Sequence, residues 1–298
     1  MKTILITILI VQFLTYSNKV CSQTKLVKEI CLTKNKSDNR YSSYSPDGKK
    51  IIFESNRDGN WEIYFMDSNG SNQERLTVNK NSDRRPSWHP SGKQILFESD
   101  RGGKNELYIL NLKNRKIKKI SNIEHSGEPM FANFSPNGKF ISISLKETDD
   151  KSNIFLLNKK GKIIKQLTNG NKRSTYPKWS NNGKKIVYFS RKETNNQDDE
   201  IYKLNLESGL GVRLTNWPKH NFCPSWSNDG EKIVYVTSME GTRPEIYIMD
   251  SNGENQTRIT ENNDGDTLPN WSPIENKVLI TGFRNGNYQI CELELSKN

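Results

Sequence analysis

The chain is poor in the residues from which most catalytic and metal centres are built. Of its 298 residues only 3 are histidine and 4 are cysteine. His89, His125 and His220 stand far apart, with no H-x-x-x-H pair, and no two cysteines form C-x-x-C, so a compact zinc site is not encoded. A G-x-S-x-G elbow is missing, which excludes a serine hydrolase of the α/β type. The acidic run 263–266, NDGD, lacks the spaced carboxylates and closing glutamate of a calcium loop and reads as a turn. Apolar residues make up 32% of the chain and the mean hydropathy is -0.84, low for a globular protein. After residue 14 no apolar run is long enough to cross a bilayer.

The one apolar run stands at the N-terminus. Lys2 precedes the stretch from Ile4 to Leu14, and Val20 and Ser22 suit cleavage before Gln23. Residues 1–22 therefore read as a signal peptide and 23–298 as the mature domain. A lipid anchor on Cys21 is disfavoured, because Asn18, Lys19 and Val20 lack the leucine and small residues of a lipobox. The formal charge is +11, and about +9 once Lys2 and Lys19 are removed. Export makes nucleic acid an unsuitable partner for that charge. An acidic protein or an anionic envelope polymer fits better.

What the chain has in abundance is repetition. YSPDGKKIIF (44–53) returns as WHPSGKQILF (88–97), FSPNGKFISI (134–143), WSNNGKKIVY (179–188), WSNDGEKIVY (226–235) and WSPIENKVLI (271–280). Each copy is followed by a second short run: Glu62-Ile-Tyr64, Glu106-Leu-Tyr108, Asn153-Ile-Phe155, Glu200-Ile-Tyr202, Glu245-Ile-Tyr247 and Gln289-Ile-Cys291. The period of roughly 44 to 47 residues is that of a four-stranded propeller blade. Within a unit, a strand ending in an aromatic meets an S-P-D-G turn, whose proline and glycine preset the turn dihedrals. A β-branched and aromatic strand follows, then the Glu-Ile-Tyr strand, then a hairpin such as Asn69-Gly70 into the closing Arg75-Leu76-Thr77. The fold class expected is all-β: six blades of four antiparallel strands.

The sixth unit ends without its closing strand, and a spare one, residues 27–33 (VKEICLT), precedes the first. The N-terminal strand is therefore expected to complete the last blade and close the ring. If Asn69 and Gly70 form a two-residue loop, Tyr64 faces Arg75, and the same register sets Cys31 against Cys291. That pair is a candidate disulfide in an exported protein. Cys223 is left over and reads as a small buried residue.

The pattern W-S-P-D-G-K, then F-x-S-N-R-x-G, E-I-Y and L-T, resembles the TolB-type, WD40-like (PD40) repeat and covers roughly residues 25 to 295. The resemblance implies a six-bladed propeller exported to the periplasm. It omits the α/β domain that precedes the propeller in TolB itself. It further implies a protein-binding role in the cell envelope; since the residues offer no catalytic constellation, neither enzymatic activity nor a cofactor is expected. A binder of anionic glycan is the alternative, and a polysaccharide lyase the remoter one.

The recurring glutamates read as blade-internal, with the loop arginines Arg57 and Arg101 as their partners. The loops just before the innermost strands are where the repeats stop agreeing and where six blades converge. Counting back from each aromatic gives Arg40, Asp83, Arg84, Glu128, Arg173, His220 and Asp266 as candidate partner-binding residues.

Overall fold

A computed structural model describes residues 24–120, 123–192, 198–216, 218–238 and 243–296. The segment read as a signal peptide lies outside them. Six four-stranded sheets are present, each antiparallel. The strands Asn39–Tyr44, Asp83–Trp88, Glu128–Phe134, Ser174–Trp179, Asn221–Trp226 and Asp266–Trp271 begin the blades. Each of them packs on the corresponding strand of the next blade, and the sixth packs on the first. They therefore form the inner wall of a closed ring. Blades 1 to 6 are numbered here in the order of these strands.

The second strand of each blade, such as Lys50–Ser55 or Lys232–Thr237, is buried on both faces between neighbouring sheets. This explains its unbroken β-branched and aromatic run, where a half-buried strand would alternate. The turn leading into it is tied by its own serine. Ser45 Oγ donates to Asp47 Oδ1 at 2.6 Å and accepts the Lys50 amide at 2.9 Å. Gly48 takes a φ of 70°, a conformation that L side chains rarely adopt. The sixth blade turns without a glycine, through Ser272 to Lys277.

The third strand holds the recurring glutamate. Glu62 is wholly buried and accepts from Thr77 Oγ1, from the Asn79 amide at 2.8 Å and from Arg75 at 2.9 Å. Glu200 repeats this with Thr215 and Arg213, and Glu245 with Thr260 and Arg258. The glutamates thus bind the closing strand of their own blade. Their cationic partners differ from those the motif suggested. Arg57 Nη2 donates instead to Asn39 Oδ1 (2.9 Å), and Arg101 Nη2 to Asp83 Oδ2 (2.5 Å), at the start of the innermost strands. The loop arginine reaches across its own blade toward the ring, while the closing-strand arginine already occupies the glutamate.

Blade 6 has strand order 266–271, 277–284, 287–295 and 26–31, so the N-terminal strand is its outer edge. Thr33 Oγ1 accepts the Ile290 amide at 2.8 Å, the role that Thr77 performs for Ile63 in blade 1. Cys31 faces Cys291 in this pairing, and a disulfide joins them. The remaining cysteine of the described chain, Cys223, is free and buried.

Candidate functional site

Every innermost strand carries an irregularity at the same place. Counted back from the closing aromatic, its pairing slips between the fifth-last and penultimate residues, and the fourth-last residue is left-handed. The six are Tyr41, Arg85, Phe131, Tyr176, Cys223 and Leu268, with φ between 48° and 59°. None is glycine, so each bulge costs conformational energy that its surroundings must offset. Part of the offset comes from the preceding blade. Glu54 accepts the Arg85 amide at 2.7 Å, Glu98 the Phe131 amide at 2.5 Å, and Ser144 Oγ the Tyr176 amide at 3.2 Å. In four blades the next residue is proline (Pro86, Pro177, Pro224, Pro269), which has no amide to leave unpaired where the ladder is broken. The recurrent P-x-W that follows was the available sequence signal for the bulge.

The bulges turn six side chains toward one another at one level of the channel. Tyr41 and Phe131 have ring centroids 6.2 Å apart, and Phe131 and Tyr176 5.1 Å. The Arg85 guanidinium lies 4.8 Å from the Phe131 ring and donates to Glu98 at 2.6 Å. Tyr41, Phe131 and Leu268 pack on the cluster that contains Tyr176 and Cys223. Burial pushes the Tyr41 hydroxyl and the Cys223 thiol each up to about 12.

Above this floor lies a cavity of about 360 Å³. It opens on the face that carries the turns after the innermost strands, since Pro46, Pro90, Pro136, Asn181 and Pro273 line its rim. Its wall includes Trp88, Trp179, Trp226 and Trp271. Three of these tryptophans stitch adjacent blades: Nε1 of Trp88 donates to Ser43 O, of Trp179 to Asn133 O, and of Trp226 to Lys178 O, at 3.2 to 3.3 Å. The penultimate residues of the innermost strands are Ser43, Ser87, Asn133, Lys178, Ser225 and Asn270, all on the cavity wall. Lys178 alone among them is charged. Its Nζ donates to Asn133 Oδ1 at 3.2 Å and stands 5.0 Å from the Tyr176 ring. Burial lowers its pKa to about 8.

The seven residues singled out from the sequence sit at the opposite mouth, and none lines this cavity. Asp83 and Asp266 are wholly buried, bound to Arg101 and to Arg284 (2.8 Å), and so face the blade interior and not solvent. Burial raises the pKa of both carboxyls against the pull of those arginines. Arg40 and Arg84 come together on Trp61, 5.2 and 4.9 Å from its ring, and Arg40 also lies 4.1 Å from Tyr288. Each is ion-paired, Arg40 with Asp38 (2.9 Å) and Arg84 with Glu54 (3.2 Å). Arg173 and His220 meet on the buried Asp199, His220 Nδ1 at 3.3 Å. Glu128 is exposed opposite Lys146.

The three histidines do not converge. His89 Nδ1 bonds Ser91 Oγ at 2.9 Å and His125 Nδ1 accepts the Gly127 amide at 2.8 Å, each within its own loop. Among the described residues the one group spaced for a metal is Glu29, Cys31 and Cys291, whose thiols are spent in the disulfide.

The TolB beta propeller domain family matches residues 11–129, 105–215 and 194–298. The chain belongs to that family. No curated protein matches it. Among solved structures, a TolB-designated protein from Agrobacterium tumefaciens is 27% identical, with a TM-score of 0.63 over 71% of this chain and 74% of that one. TolB from Acinetobacter baumannii is 24% identical with a TM-score of 0.70; the match covers 81% of this chain but 59% of that protein. An oligogalacturonate lyase in complex with manganese is 16% identical, with a TM-score of 0.60 over 92% and 95% of the two chains, a likeness of fold alone.

Proposed function

We propose that this TolB-family propeller is an exported scaffold of the cell envelope that binds a protein through the mouth of its channel. The cavity above the bulge floor carries the reading. It combines a recess of about 360 Å³, aromatic and proline walls, and neutral polar groups that include Asn133, Asn270, Ser43, Ser87 and Ser225. Such a concave, mostly apolar site with a few convergent polar groups suits side chains of a docked polypeptide. The fold's rigidity lets the recess be formed before the partner arrives, which lowers the ordering cost of binding.

A second reading, a binder of anionic glycan or envelope polymer, is favoured by Arg40 and Arg84 on Trp61 and by the basic balance of the chain. A lyase is less favoured, because the histidines stand apart; stoichiometric transition metal in the purified protein would revive it.

Capture from envelope extract separates the first two. Asn270→Trp fills the recess, while Arg40→Ala with Arg84→Ala and Arg173→Ala strips the opposite mouth. Loss of capture in the first variant alone supports the scaffold reading. Capture unchanged by Asn270→Trp overturns it, and loss confined to the arginine variant, with collapse in salt, favours the polymer.

A further inference from the structure

The recess is electrically unbalanced. Two cations, Arg85 and Lys178, line it, and no aspartate or glutamate does. Arg85 is neutralised beneath the floor by Glu98 at 2.6 Å. Lys178 has no carboxylate in ion-pair range among the described residues; its contacts are the Asn133 amide and the face of Tyr176. A half-buried ammonium with one neutral acceptor leaves part of its bonding capacity unused, and an opposite charge brought to it would interact in a medium less screening than water. The other five blades place serine or asparagine at this position, so the charge is a property of one blade and not of the repeat.

We propose that the recess receives an acidic side chain of the partner polypeptide, its carboxylate accepting from Lys178 Nζ while the neighbouring residues of the partner lie against the tryptophans of the wall. This deepens the scaffold reading and rests on it. A peptide suits the recess better than a uronate polymer does, because one cation answers one carboxylate and the surrounding surface is proline and tryptophan. A polymer of repeating acids would call for a row of cations.

Protonation follows from the groups around the amine. Tyr176 on the same strand, Cys223 on the next blade and Tyr41 across the floor are all held protonated well above neutral pH by burial; beneath them Glu98, its carboxyl raised by burial against the pull of Arg85, is ion-paired with that arginine. Lys178, at about 8, is therefore the group of this set whose charge changes between neutral pH and pH 10.

The test pans a phage-displayed library of random heptapeptides against the mature chain with its disulfide intact. Recovered sequences are then made as amide-capped peptides and titrated against wild type, Lys178→Met and Lys178→Arg, each checked for an unchanged far-ultraviolet spectrum and a cooperative melting transition above the titration temperature. The expected result is a shared aspartate or glutamate, whose amide form binds about tenfold or more weaker. Lys178→Met should produce the same loss, Lys178→Arg should retain binding, and wild-type affinity should fall from pH 7 to pH 10 while that of the arginine variant holds. Recovery of no peptide, of peptides without a common acid, or of peptides indifferent to Lys178→Met overturns the proposal, as does selective binding of trigalacturonate in their place. If envelope capture still fails in Asn270→Trp while Lys178→Met changes nothing, the scaffold reading stands and the carboxylate inference falls.

Discussion

The buried carboxylates of the second strands show most directly how single residues hold the ring. Glu98 receives the Phe131 amide from the adjoining innermost strand, the Arg85 guanidinium from its own, and the Asn105 side chain from the loop before the third strand of its blade. Glu98→Ala strands a buried guanidinium and a bulge amide together, so urea unfolding should show a loss of about 3–5 kcal/mol. Lys178 gives a pH signature of the opposite kind. Its pKa is about 8 in the fold and about 10.4 in an unfolded chain, so between those values the unfolded state holds more protons. Wild-type stability should therefore rise relative to Lys178→Met as pH climbs from about 8 to about 10, read as a growing difference in melting temperature. The bulges also explain why residue positions were legible in the sequence and side-chain directions were not. Counting back from Trp88 or Trp271 reaches Asp83 and Asp266 at the start of their strands. The count crosses an extra residue, however, and each such residue reverses the alternation of faces, so both aspartates turn inward to Arg101 and Arg284. No glycine marks the left-handed positions.

Among the strands, the closing one of blade 6 is exposed along most of its length; Val27 is 61% accessible. What ties it down is the ladder to residues 291–295, the Thr33 bond and the disulfide, which spans 260 residues of sequence. Replacing Cys31 and Cys291 by serine removes the largest loop constraint the chain has. Chemical unfolding should register a loss of about 2–5 kcal/mol, with an unchanged far-ultraviolet spectrum in the folded state. This element was readable in advance because a missing strand and a spare strand shared one motif. The turn itself is longer than the Asn-Gly pair: Asp67 N donates to Ser71 O around a three-residue loop, and the left-handed Asn72 adds the extra residue that brings Tyr64 opposite Arg75. The partners of Arg57 and Arg101 were not readable, since proximity in the motif does not tell which of two acceptor-bearing positions a long side chain reaches.

For the molecule as a whole, six copies of one motif sufficed to number the blades and close the ring. The mouth that is recessed depends on side chains from six distant stretches meeting at the axis, which no local pattern records. The net charge of +11 bears on the choice of partner. A polypeptide seated in a recess against one lysine should lose less than about threefold in affinity between about 0.1 and about 0.5 M salt, measured by titration calorimetry, whereas a polyanion bound along the surface should lose far more. The floor of packed rings has a further bearing on this architecture. Tyr41, Phe131, Tyr176 and Leu268 gather at mid-channel, so packed side chains stand between the recess and the opposite mouth. The recess of Lys178 and the arginine-flanked Trp61 thus belong to separate compartments. A partner seated in the recess, as proposed, would therefore leave the Trp61 mouth uncovered.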